Sequence, residues 1–483
     1  MKRLAGVIFL FLMAVSVFAQ DSFSDWKKQQ ESAFKAYVEK QDKDFADFMK
    51  KEWEQFQAFK GISFDTTPKP VMAPAAPVTN AQGSVGGKAL AQKEVDLSSP
   101  ALKTEITKSG YENPAAGTQN IKVDFLGRTL YVPYSAKLDI PAAAPYTNTQ
   151  FSNSWTAMSG WDFKPFIAEL KKLKDSLQLN DWGYFLLANA AGAGMFPADA
   201  GKSGIFTWFL LLKSGYECRI CYFQKNVYLL IPAENMLYNT LYMSFTPQGP
   251  YYYLFQNNKP AQNVSNLYTY KDDYPGKNSL IKMRIETAPK LTEERNNRTV
   301  FFIYKGIKYK ISLESNASYV LLGKNYPQTE IPVYFSSPPS AEARHSLINS
   351  LKLIVEGKSE TEAANMILRF VQTAFEYKTD DEQFGIEKPL FIDETLFYPF
   401  ADCEDRSILY SFLIRDILGL KVVGLDYPGH IATAVRFNST VKGDAIVYKG
   451  ERYVICDPTY INADIGMAMP DLKSVSPGII DAQ

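Results

Sequence analysis

Nucleophilic chemistry has few places to happen in this chain, which holds four cysteines and two histidines in 483 residues. Cys403 stands out by its neighbours: it lies in FADCEDRSILYSFL, between acids and just before an apolar run with helical spacing. A thiolate nucleophile needs a base to take its proton and a third group to orient that base. His430 opens HIATAVRF, where strand alternation puts His430, Ala432, Ala434 and Arg436 on one face and Ile431, Thr433, Val435 and Phe437 on the other. Asp457, in VICDPTY, sits on a strand expected to pair beside that of His430, where its carboxylate accepts from the imidazole. Cys403 itself falls at a helix entry, where unpaired N–H groups and the helix dipole favour a thiolate. The other histidine, His345, begins an amphipathic helix upstream of the cysteine and is assigned no catalytic role.

The elements that must position these groups run helix, strand, hairpin strand. DRSILYSFLIRDILGL buries Ile408, Leu409, Phe412, Leu413 and Ile417, and AIVYKGERYVICDPTY folds back on a Lys-Gly turn. IKVDFLGRTLYVPY (121–134) and RTVFFIYKGIKYKISLE (298–314) read as further hairpins with glycine in the turn. The disulfide alternative for Cys403 is Cys456, but Cys456 precedes Asp457 on a strand and should face away from the site. Cys218 and Cys221, in GYECRICYFQ, have redox-motif spacing, yet on a strand they point to opposite faces beyond bridging distance.

The segments DCEDRSILYSFLI, LGLKVVGLDYPGHIATAVRF and RYVICDPTY resemble the transglutaminase-like core of the papain-type cysteine enzymes, above all the bacterial transglutaminase-like cysteine peptidases with their Gly-Asp-Cys-Glu-Asp motif. With FVQTAFEYKTDDEQFG and DETLFYPF upstream, the resemblance covers roughly 359–470, about a quarter of the chain. It implies Cys403 as nucleophile, His430 as general base and acid, and Asp457 as orienting carboxylate, for hydrolysis or acyl transfer at peptide or glutamine amides. Ala401 stands where the family motif has glycine, and Ile431 with Ala432 replaces the aromatic that often follows the histidine in transglutaminases. The backbone N–H of Cys403 and the side chain of Gln372 are the expected oxyanion donors. Asp402, Glu404 and Asp405 should oppose ionisation of the thiol by repulsion. They either cap the helix N–H groups or hold a hard cation, as the calcium-binding acids of some bacterial relatives do. The triad requires no cofactor.

Around this core, MKRLAGVIFLFLMAVSVFAQ reads as a secretory signal peptide over residues 1–19, which implies export to a periplasm or beyond. Residues 20–61 carry an 11-residue repeat, with Phe23, Phe34, Phe45 and Phe56 in one row and Trp26, Tyr37, Phe48 and Phe59 in the next. A spacing of about 3.67 residues per turn keeps both rows on one side of a long helix. That aromatic seam packs on the body of the protein, on a second copy or on an envelope partner. Residues 62–115, rich in Pro, Ala and Gly, read as an unordered linker, 116–290 as an α/β domain, 291–340 as a β-rich segment and 341–475 as the catalytic domain. Aligning Gly215 with Gly419 sets Asn226 on His430 and brings Ser203 or its neighbours to the Cys403 position, so the middle domain reads as a degenerate copy without nucleophile or base. Basic and acidic residues balance at 52 each, with no basic cluster to follow phosphates, which argues against nucleic acid as a partner; a protein or peptide substrate is what the resemblance implies. The expected class is α+β: a long helix, a linker, a middle region with antiparallel strands and a C-terminal papain-like core.

Overall fold

The computed structural model describes residues 2–61, 72–77, 94–99 and 119–481 apart from 277 and 293, with side chains from residue 23 onward. The side chains of the expected signal peptide and most of the expected linker lie outside the described residues. No helix among the described residues is long and apolar enough to cross a membrane. The architecture is mixed α/β with antiparallel sheets, as the hydrophobic spacing requires.

The long helix α1 (Lys2–Met49) ends twelve residues before the 20–61 repeat predicts, and β1 (Trp53–Gln57) follows it. The aromatic spacing continues through both, so Phe56 and Phe59 leave the helix and join the middle sheet region. Trp53 marks the switch: its indole Nε1 donates to the carbonyl of Met49 at 2.6 Å, satisfying an orphan acceptor at the helix end. Only the C-terminal part of the seam packs on the body, where Phe45, Ala46 and Met49 are buried and Phe45 meets Trp155 edge-on. Farther out, Phe34 is 67% exposed and Phe23 61%.

In the middle of the chain, α2 (Ala200–Ser214) leads through Gly215 into β2 (Arg219–Phe223), β3 (Asn226–Pro232), β4 (Tyr252–Gln256) and β5 (Asn266–Tyr270). The sheet order is β1-β5-β2-β3-β4, every pair antiparallel, with Tyr242–Met243 outside β4. Ile220, Leu229 and Phe255 share a core with α2 and the helices before it, while Cys221, Tyr228 and Leu254 form a second cluster on the other face. Cys218 belongs to the first cluster and Cys221 to the second, and both are thiols, as alternation on a strand dictates. The long hairpin β6 (Arg295–Tyr304) and β7 (Ile307–Asn316) turns at Lys305-Gly306 and takes Glu94–Asp96 as a parallel third strand.

The C-terminal module holds α3 (Glu360–Ala374), α4 (Cys403–Leu413), a π turn at Ile414–Leu418, then β8 (Lys421–Tyr427), β9 (His430–Arg436), β10 (Ala445–Tyr448), β11 (Glu451–Cys456) and β12 (Gly478–Ile480). Its sheet order is β10-β11-β9-β8-β12, again antiparallel throughout. Ile408, Leu409, Phe412 and Leu413 of α4 pack in one cluster with Val422, Val435, Val454 and Cys456 of this sheet. Burying four such side chains removes enough apolar surface to contribute roughly 6–12 kcal/mol before entropy is charged.

The two modules share a topology. The order β5-β2-β3-β4 matches β12-β8-β9-β11, and in each a helix ends on a left-handed glycine, Gly215 at φ +113° and Gly419 at φ +66°, before a hairpin with a two-residue turn. The ladder registers also agree: Leu229 faces Phe255 as Thr433 faces Cys456, so Gln256 falls where Asp457 falls and Asn226 where His430 falls. Asn226 and Gln256 even keep a side-chain hydrogen bond, at 3.3 Å. Counting back from Gly215, the position that matches Cys403 is the helix start at Asp199 or Ala200, not Ser203, because α2 is a full turn longer than the alignment by eye required. The π turn, which inserts one residue into a helix, accounts for the remaining offset.

Two pieces of the expected linker are held on the body. Ala75 bridges Ile461, with Ala76 N donating to Ile461 O at 2.8 Å and Ile461 N to Pro74 O at 2.9 Å, and Ala76 is buried against Tyr460 and Ala463.

Candidate functional site

Cys403 is the first residue of α4, fully buried, with Asp402 at the N-cap. One turn on, on the same side of the helix, Ser407 Oγ donates to the carbonyl of Ile431 at 3.0 Å. That bond brings the first turn of α4 to the end of β9 that starts with His430. His430 is set there by the Pro428-Gly429 turn, which needs the positive φ of +69° at Gly429 to reverse the chain directly from β8.

Asp457 leaves the end of β11, the strand paired beside β9, and its Oδ2 lies 3.0 Å from His430 Nε2 with both side chains buried. Its other oxygen accepts from the backbone N–H of Thr459 at 2.9 Å and of Tyr460 at 3.2 Å, so the carboxylate is fixed in orientation. The pair is the one expected, and it commits Nε2, leaving Nδ1 as the nitrogen for a proton from a nucleophile. Nδ1 is buried and has no hydrogen-bond partner. The thiol–imidazole hydrogen bond is therefore not made in this structure; the Cys403 thiol donates instead to Glu404 Oε2, at 3.1 Å.

Gln372 does not serve as an oxyanion donor. Its Nε2 donates to the carbonyls of Asp457 at 3.1 Å, Tyr460 at 2.9 Å and Ala463 at 3.0 Å, all buried. From α3 it ties down the loop that carries the orienting carboxylate, a task that an amide with two N–H protons suits. Sequence reasoning missed this because the partners are backbone atoms of a loop far along the chain.

The acids around Cys403 divide into two groups. Asp405 caps: its oxygens accept from Leu390 N at 2.8 Å and from Asp402 N at 3.4 Å. Asp402 and Glu404 instead gather with Asp380, each offering an oxygen within 4.8 Å of the others, and all three are buried. Asp380 was not singled out from the sequence, and its place beside the DCED stretch comes from the fold alone. Burial, then the negative charge of Glu404 and Asp405, raises its pKa well above the ordinary carboxylate value. Asp405, expected among the cation ligands, is thus taken up by backbone N–H groups, and the oxygens that gather are those of Asp380, Asp402 and Glu404.

Beneath the acids lies a buried guanidinium that the sequence reading passed over. Arg406 donates to the carbonyls of Gln372 at 3.2 Å and Phe375 at 2.8 Å and sits over the ring of Tyr377. Burial lowers its pKa to about 10, with the charges of Asp402 and Asp405 among those pulling it back up. Cys456 lies on the α4 side of the sheet beside Tyr410, its thiol pushed up to about 12 by burial, and all four cysteines are unbridged. Cys456 therefore makes no disulfide with Cys403.

Compared with protein-family models, curated proteins and solved structures, the chain matches none of them.

Proposed function

We propose that this chain is an exported cysteine-dependent enzyme with a transglutaminase-like, papain-type C-terminal core, acting on peptide or amide bonds. Hydrolysis is favoured over acyl transfer to an amine, since water is the default acceptor. The observation that carries the reading is the buried His430–Asp457 pair at 3.0 Å with Nδ1 unpartnered, on the strand end that Ser407 ties to the first turn of the helix Cys403 begins.

In the reaction, His430 Nδ1 takes the thiol proton and the thiolate of Cys403 attacks the substrate carbonyl. The imidazolium then returns the proton to the leaving amine, and water attacks the thioester with the same base. Asp457 holds the imidazole in the tautomer with its proton on Nε2 and stabilises the cation that forms. Gln372 is a positioning residue, acting through the loop of Asp457. Asp380, Asp402 and Glu404 would hold a calcium ion, which when bound offsets the negative charge next to the thiol.

The thiol's hydrogen bond to Glu404 favours a second reading, a catalytically silent binding or assembly protein of the cell envelope. Alkylation by iodoacetamide, followed residue by residue by mass spectrometry, separates the two. The enzyme reading expects Cys403 to react faster than Cys218, Cys221 and Cys456 and to lose that advantage in His430→Ala. A Cys403 as inert as the other three overturns it.

A further inference from the structure

Beside Glu404 an open cavity of about 800 Å³ lies between the middle of the chain and the C-terminal sheet, within the size range of ligand sites. Glu404, the acceptor of the Cys403 thiol, forms part of its wall, together with Gly429 and Ile431 on either side of His430. The cleft thus runs past the end of β9 at which His430 begins.

The charge of the wall is one-sided. Glu330, Glu404 and Asp426 line it, and among the described residues no Lys, Arg or His does. Glu330 is oriented by Asn235, whose Nδ2 donates to Oε2 at 2.7 Å, and Asp426 lies on β8 directly opposite Ile431. Tyr238 lies within the field of both acids: burial first, then the negative charge of Glu330 and Asp426, raises its pKa. Tyr427, Ile431 and Ile479 add aromatic and aliphatic surface to the wall, and Ser476 a hydroxyl. A site of this kind, carboxylates around an apolar lining with aromatic rings, suits a cation at the end of an aliphatic stem. A bare metal ion fits it less well, because Glu330 and Asp426 are not among the oxygens that converge within 4.8 Å at Asp380, Asp402 and Glu404.

We propose that this cavity binds a Lys or Arg side chain of the peptide on which Cys403 acts, so that the scissile amide lies close to a basic residue. The inference rests on the cysteine-dependent reading for the reaction, but binding can be measured without turnover. The test uses the full chain carrying Cys403→Ala and blocked pentapeptides Ala-Ala-X-Ala-Ala, with X as Lys, Arg, norleucine or Glu, titrated by calorimetry at low and high salt.

The Lys and Arg peptides should bind about tenfold more tightly than the norleucine peptide, the Glu peptide more weakly still, and the preference should shrink with salt. Glu330→Gln and Asp426→Asn, both nearly isosteric and both outside the triad, should each reduce the preference about threefold to tenfold while circular dichroism stays unchanged. Equal binding of Lys and norleucine peptides overturns the proposal, as does a preference that survives the double variant. Calcium binding without any discrimination among the peptides also overturns it and assigns the acids to a metal alone. Charge selectivity in a chain whose Cys403 proves inert would keep the cavity assignment and reject the enzyme.

Discussion

Replacing Gln372 with Leu separates the positioning role of this residue from the oxyanion role expected of it. Leucine nearly preserves volume but removes the donor that serves the carbonyls of Asp457, Tyr460 and Ala463. Each buried acceptor left unsatisfied costs about 1–3 kcal/mol, but the three share one NH2 group and its two protons, and the loop can relax toward water. A loss of about 2–4 kcal/mol is expected, concentrated in the 457–463 loop. All six tryptophans lie at or before residue 208, so intrinsic tryptophan fluorescence would not see it. Hydrogen exchange read by mass spectrometry does: amides of 457–463 should exchange roughly 30-fold to 1000-fold faster in Gln372→Leu, while those of β2 and β3 stay unchanged. Iodoacetamide reactivity of Cys403 should fall in parallel, because the carboxylate that orients His430 has lost its support. If exchange in the loop is unchanged but amide turnover drops sharply, Gln372 touches the substrate and the positioning argument is wrong.

Two further predictions concern the body of the fold. Asp393 accepts from Asn316 N, Ser340 N and Ser340 Oγ, yet complete burial raises its pKa to about 6. The folded state then holds a proton that the unfolded chain releases, so this group's contribution to stability falls as pH rises from about 4 to 6 and stays lost above. Asp393→Asn should flatten that part of the stability–pH curve relative to the wild type in urea unfolding at a series of pH values; curves of identical slope refute it. Lys213 pairs with buried Asp42 of α1, donates to Tyr274 Oη at 3.0 Å and lies over the ring of Trp155. Lys213→Met leaves Asp42 without its cation at a cost of about 3–5 kcal/mol, so α1 should detach first, and limited proteolysis should cut near residues 40–50 well before the wild type is cut there. Equal resistance in the two proteins would show that α1 is held by its apolar contacts alone.

The parts of the fold legible in the sequence are those with a local period. The hairpins turning at Leu126-Gly127, Lys305-Gly306 and Lys449-Gly450 lie where alternation and glycine put them, and the buried face of α4 follows the helical spacing of Ile408, Leu409, Phe412 and Leu413. The His430–Asp457 contact was legible because two adjacent strands ended in complementary groups. What was not legible depended on parts of the chain far apart. Asp380 joins Asp402 and Glu404 only once the fold brings α4's N-terminus to it, and Gln372 reads as an oxyanion donor until the fold sets the 457–463 carbonyls around its amide. The end of α1 was misread for the opposite reason: the aromatic period runs on past Met49 although the backbone has changed from helix to strand.

The short run 72–77 has a practical consequence. Pro74 and Ala76 hold both backbone groups of Ile461, four residues beyond Asp457, and Ala76 packs on Tyr460 and Ala463. Anyone trimming the Pro- and Ala-rich stretch as dispensable spacer would remove a backbone bridge from the loop that follows Asp457 and leave Tyr460 and Ala463 wet. The low-complexity stretch thus includes a built piece of the C-terminal module.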